Sequence, residues 1–196
     1  MTSFSIFGTR GGIGTSTFGW AFAQEIQATA FLDYSIHQSA AWIFNNVDSD
    51  FSWPNTLDST SSTFQLFQTI QKAPEVYGIK VFSGGIPIPT VEADDSLTLV
   101  FDGDCVADFR LLHTTNSIQD METSWDQKDF RYVVLREVSG GVPTKLIQEK
   151  FDYSYRSERS VHLSVSNGLG LHPRSHVSRT ARNIYADICR DFPHSH

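Results

Sequence analysis

The chain has few of the residues that would mark it as a stapled, metal-bound or membrane-spanning protein. Two cysteines, Cys105 and Cys189, occur in 196 residues. Their spacing matches no metal or redox motif and no disulfide framework, so a reducing compartment is the simpler expectation. No apolar run approaches the roughly 20 residues needed to cross a bilayer. The chain opens on a strand-like run, Ser3 to Phe7, rather than a charged-then-apolar leader, and a cytoplasmic protein is expected. Charged residues make up only 19% of the chain, with a net charge of −7. That balance argues against sequence-independent DNA binding, which needs a cationic surface to release counterions. Arg174, Arg179 and Arg182 leave room for one local basic patch.

What is present is enough apolar material for a core, 40% of residues, in short runs alternating with helix-like segments. Phe4 to Gly8 reads as a strand running into a glycine-rich turn. Ser16 to Ala28 follows as a helix, with Phe18, Ala21, Phe22 and Ile26 at helical spacing and Ser16 or Thr15 as its cap. Further strands are expected at Ala30 to Asp33, Ile79 to Phe82, Leu97 to Phe101, Tyr132 to Leu135 and Val161 to Val165. Helices are expected at Gln38 to Asn46, Thr63 to Lys72, Thr144 to Phe151 and Val177 to Cys189. Asp48 to Ser62 and Gly84 to Thr90 read as loops. Neither repeats nor a strong linker divide residues 1–196, so one α/β domain is expected. Alternating strands and helices imply a mostly parallel central sheet flanked by helices on both faces.

Ligands of such sheets sit beyond the carboxyl ends of the strands. Three features share that edge: the glycine loop, Asp33 and Asp102. The loop is Thr9 to Thr17, TRGGIGTST. Glycines let backbone N–H groups turn inward around an anion, and the next helix adds its positive end. Gly11, Gly12 and Gly14 meet that need, together with Arg10, Ile13, Thr15, Ser16 and Thr17. In the usual phosphate loop a lysine precedes the Ser/Thr that binds Mg²⁺. Thr15 stands at the lysine position, Ser16 keeps the hydroxyl, and Thr9 replaces the first glycine. A structural turn that binds nothing is the plain alternative. A second pattern, G-x-x-x-G-I-G from Gly8, resembles the cofactor loop of short-chain dehydrogenases. That family needs Tyr-x-x-x-Lys. None of Tyr34, Tyr77, Tyr132, Tyr153, Tyr155 and Tyr185 has a lysine four residues on.

RGGIGTST, followed by a helix and AFLDYS, resembles the MinD/ParA group of deviant Walker ATPases, and within it the CpaE/TadZ branch that localises Tad pilus assembly. GIKVFSGG, LTLVFDGD, RYVVLREVSGGVPTKLIQ and HPRSHVSRTARNIYADI resemble later strands and helices of that group in the same order. The resemblance implies a three-layer P-loop NTPase fold. It also implies ATP or ADP with Mg²⁺, held by Arg10 to Thr17, with Ser16 and Asp102 serving the metal through water. Asp33 would match the first of two catalytic-motif aspartates, and Ser35 stands at the second. Arg10 takes the place of a signature lysine that acts across a dimer. The missing lysine and carboxylate imply weak or absent hydrolysis, since phosphoryl transfer relies on positioning and charge.

The family further implies a homodimer with protein partners in a pilus, secretion or cell-division apparatus. Partner-mediated recruitment to the cell pole or inner membrane would follow, without direct membrane insertion. A working ATPase with altered loop chemistry, and an interaction module that kept only the fold, are the other two readings. Asp104 is expected to cap a following helix. The seven histidines and Trp20, Trp42, Trp53 and Trp125 are expected in packing or surface roles, with Trp53 the best candidate for a partner contact. His194 and His196 lie in a tail that would hold metal only loosely.

Overall fold

The computed structural model describes residues 1–33, 63–83, 97–125, 130–157 and 176–193. Its elements, in order, are β1 (Thr2–Gly8), α1 (Thr15–Glu25), β2 (Ala30–Asp33), α2 (Thr63–Lys72), β3 (Glu75–Val76) and β4 (Ile79–Ser83). Then come β5 (Thr98–Asp102), β6 (Phe109–Thr115), α3 (Ile118–Trp125), β7 (Tyr132–Arg136), α4 (Thr144–Gln148), β8 (Tyr153–Ser157) and α5 (His176–Asp191). The expected helix Gln38 to Asn46, the loops Asp48 to Ser62 and Gly84 to Thr90, and the strand Val161 to Val165 lie outside the described residues, as do Trp42, Trp53, Arg174, His194 and His196.

The strands form one eight-stranded sheet in the order β3-β4-β2-β5-β1-β6-β7-β8. Every pairing is parallel except β3 with β4. Side chains alternate across the sheet, so each strand feeds two cores. Phe4, Phe31, Val100, Leu111 and Val134 point to one face, where they meet α1 and α5. Leu32, Leu99 and Phe101 point to the other and pack on Leu66 and Ile70 of α2. On that second face, Leu112, Val133 and Leu135 pack on Met121 of α3 and Ile147 of α4. Three layers result, as the sequence implied.

Helix α1 differs from its expected form. It ends at Glu25, and Phe18 to Ala23 are all buried rather than one stripe of them. The helix is enclosed by the sheet on one side and α5 on the other, where Arg182 makes two bonds to Glu25 at 3.0 and 3.1 Å. Its cap is Gly14, not Ser16 or Thr15. Strand β6 has no counterpart in the expected element list, yet it is the neighbour of β1. No helix follows Asp104. The chain goes straight into β6, and Asp104 instead accepts a bond from Arg110 at 2.5 Å. Among the described residues no helix is long and apolar enough to cross a membrane.

Candidate functional site at the carboxyl edge of the sheet

Strand β1 delivers the glycine loop to the middle of this edge, between β5 and β6. The loop turns on two left-handed glycines, Gly12 with φ 78° and Gly14 with φ 94°. A side chain at either would be strained whatever the space around it. Gly14 caps α1 without any side-chain bond, and the first turn carries no acidic residue. The positive end of the helix therefore faces the loop with no acidic residue of its own first turn against it. Around Gly11 and Gly12 an added Cβ would meet nothing within 4 Å. This backbone is open to a ligand, as a phosphate cradle requires.

Thr15 shows what the absent lysine leaves behind. Its side chain folds back over β1, so that a Cβ on Gly8 would lie 2.2 Å from Thr15 Oγ1. The same hydroxyl lies 3.3 Å from His113 Nδ1. His113 is buried, and its ring stacks on Phe18 with centroids 5.5 Å apart. Burial, and then the charge of Arg136, push its pKa down to about 4. A neutral imidazole thus lies against the residue at the lysine position and brings no charge to the site. Thr9, at the first-glycine position, ties the loop to β6: its N–H donates to the His113 carbonyl at 3.1 Å and its hydroxyl bonds Thr114 at 3.2 Å.

The acidic side of the site lies toward β2 and β5. Asp33 and Asp102 are register partners at the ends of these parallel strands, and both are buried. Adjacent strands lie about 4.8 Å apart, so the two carboxylates oppose each other's charge. Burial is the main cause that raises the Asp102 pKa to about 6. A hydrogen bond from Ser16 lowers it, and Asp33 raises it further. Asp102 Oδ2 is buried with no hydrogen-bond partner among the described residues. A buried acceptor left open beside a hydroxyl and a second carboxylate suits a hydrated divalent cation. Ser16, Asp33 and Asp102 therefore come together, and the Ser16 hydroxyl and Asp102 carboxylate would fit a Mg²⁺ held through water. The described residues contain no cluster of three or more His, Cys, Asp or Glu that would bind a metal directly.

The basic side lies toward β6 and β7. Arg10 is half-exposed and is held by the buried Asp120 of α3 at 2.9 Å. Burial works to raise the Asp120 carboxyl. Hydrogen bonds from Thr115, Arg10 and Ser117, and the Arg10 charge, hold it below its usual range. Arg136 ends β7 and donates from Nη1 to the carbonyl of Ile13 at 3.1 Å. Between these arginines lies a cavity of about 430 Å³, lined among others by Arg10, Gly12, Ile13, Thr115, Arg136 and Glu137. Asn116 pins the loop that closes it. Its side chain accepts from the Val138 N–H at 2.6 Å and donates to the Val142 carbonyl at 3.0 Å. Arg136, Asp120 and His113 were absent from the sequence-based site. For Arg136 a signal existed: it ends a strand at the same edge that singled out Asp33 and Asp102.

No protein family matches the chain in sequence, and no curated protein does. Solved structures do match in fold. The MinC:MinD cell division protein complex of Aquifex aeolicus superposes with a TM-score of 0.57 at 11% identity, covering 95% of this chain and 96% of that one. A plasmid partition protein of Borrelia burgdorferi B31 bound to AMPPNP gives 0.60 at 12% identity, covering 97% and 99%. A further structure of a plasmid partition protein from Borrelia burgdorferi gives 0.51 at 11% identity, covering 95% and 98%. The chain has the fold of the MinD and ParA-like P-loop proteins.

Proposed function

We propose that this protein is a nucleotide-binding localisation or scaffold protein of the MinD/ParA kind, with ATP hydrolysis weak or absent. The observation that carries this reading is the site itself. An open loop turned on Gly12 and Gly14 sits at a helix N-terminus, with Ser16 bonded to Asp102 and Asp33 beside it. ATP or ADP would lie with its phosphates on the N–H groups of Arg10 to Thr17, and Mg²⁺ would be held through water by Ser16 and Asp102. The solved neighbours support the ligand class, since one of them was captured with AMPPNP. Thr15 supports the weak-hydrolysis part: its hydroxyl is engaged with His113 and it brings no charge to a transferring phosphoryl group.

The partners in this proposal are a second copy of the chain and proteins of a pilus, secretion or septum-placing apparatus, as in the CpaE/TadZ branch. Residues 1–196 act as one domain. Arg10 would reach across such a dimer only by leaving Asp120.

Isothermal calorimetry with ATP and Mg²⁺, followed by a phosphate-release assay and gel filtration, tests the reading. Binding is expected, with a Mg²⁺-dependent part lost in Ser16→Ala, negligible phosphate release, and a dimer promoted by nucleotide. Turnover that Ser16→Ala abolishes would make the protein a working ATPase. No binding would make it an interaction module that kept only the fold.

A further inference from the structure

The edge of the sheet is electrically divided about β1. Asp33 and Asp102 stand on the β2–β5 side, and Arg10, paired with Asp120, and Arg136 on the β6–β7 side. A polyphosphate with its metal has the complementary division, a cation at one end and bare oxygens along the chain. In this site the first side is built and the second lacks the usual lysine, because Thr15 is turned onto Gly8 and His113 is neutral.

We propose that Arg136 is the cation that serves the phosphate site from the β7 side, in the charge role that Thr15 leaves empty, and that a polyphosphate chain lies between it and Arg10. The proposal rests on the nucleotide reading above. Four observations carry it. Arg136 is docked on the loop itself, through the Ile13 carbonyl. It lines the same cavity as Arg10 and Gly12, and that cavity of about 430 Å³ is large enough for several phosphate groups. Its position is fixed by β-sheet register, since it pairs with Thr115 of β6. Lastly, its guanidinium is planar and always charged, and presents a fork of donors that matches phosphate oxygens. Glu137 is the one carboxylate among the described residues lining the cavity. Arg10 is already paired with Asp120, so net charge does not choose the ligand; the fork of donors that Arg136 presents beside the open glycine loop is what favours phosphate oxygens.

The test compares wild type, Arg136→Gln and Arg136→Lys by calorimetry with three probes: ATP with Mg²⁺, inorganic tripolyphosphate and adenosine. Arg136→Gln is expected to weaken tripolyphosphate and ATP by about 10- to 100-fold, the scale of a charge-assisted contact. Arg136→Lys should recover part of the loss, and adenosine should be indifferent to both. Unchanged tripolyphosphate binding in Arg136→Gln overturns the assignment. So does a loss confined to adenosine, which would place the arginine on the base. Labelling of the wild type with phenylglyoxal, read by peptide mass spectrometry, needs no variant to fold. Tripolyphosphate should protect Arg136, and equal labelling with and without it counts against the assignment. A wild type that binds neither ATP nor tripolyphosphate sinks the nucleotide reading itself and this inference with it.

Discussion

Asp102 and His113 are two buried titratable groups near the same loop, and their pKa values are displaced in opposite directions. Asp102 is raised to about 6, mainly by burial. Between pH 4 and 6 the folded protein keeps this proton while the unfolded chain, near 3.8, has released it. The contribution of Asp102 to stability therefore falls as pH rises through that window and stays lost above it. His113 is lowered to about 4, again mainly by burial. Here the unfolded chain takes up the proton near 6.5 and the folded one resists it, so stability is lost as pH falls from 6.5 towards 4. The two slopes oppose each other. Asp102→Asn removes one of them. It is expected to raise stability at pH 7.5 by about 2–3 kcal/mol, to give no gain at pH 4, and to steepen the rise with pH between 4 and 6. Urea titrations across pH check this; an Asp102→Asn protein less stable than wild type at pH 7.5 would contradict it. On the proposed reading, nucleotide binding should show the converse cost, because a metal would need the ionised carboxylate: the Mg²⁺-dependent part is expected to weaken below pH 6.

At the scale of elements, the loop between β7 and α4 closes the basic side of the site, and Asn116 holds it. Three bonds join them, counting the Val142 N–H to the Asn116 carbonyl at 2.7 Å. Asn116→Ala removes the two side-chain bonds, with an expected cost of about 1–3 kcal/mol. Hydrogen exchange should then speed up at the Val138 amide, which loses its acceptor, while the β1 amides stay protected. Unchanged exchange at Val138 would count against the staple. The sequence showed such elements unevenly. Strands β1, β2, β4, β5 and β7 were legible as short apolar runs, and α2 was expected over the residues it occupies, Thr63–Lys72. Strand β6 was not, because its last residues, His113, Thr114 and Thr115, are polar yet buried. Their burial depends on Thr9, Thr15 and Asp120, which are distant in sequence. The cap at Gly14 was missed for a related reason: a hydroxyl residue was expected where the loop needs a left-handed glycine. The glycine loop, Asp33 and Asp102 were legible through local motif and strand-end position. Arg136 has the same strand-end position, but its meeting with the loop needed the sheet order, which puts β7 two strands from the loop.

For the whole molecule, the arginines of α5 bear on what it attracts. Arg182 is joined to Glu25, and Arg190 to Asp187 and Asp191. With these two of the three α5 arginines paired and a net charge of −7, weak binding of duplex DNA is the expected outcome. Fluorescence anisotropy at 150 mM salt should show no binding of a random duplex up to about 10 µM protein. Sub-micromolar binding would contradict this. The order of strands has a separate consequence, for how the molecule is made. The glycine loop follows the first strand, but that strand lies between β5 and β6, which are encoded about a hundred residues later. On the ribosome the loop emerges early and must wait for both flanking strands. A nascent chain ending after Asp102 holds the acidic side alone, and Arg136 arrives later still. On the proposed reading, nucleotide would reward the chain only once β7 has been made, and would give no help to the earlier intermediates, in which Phe4 and Ile6 are still exposed.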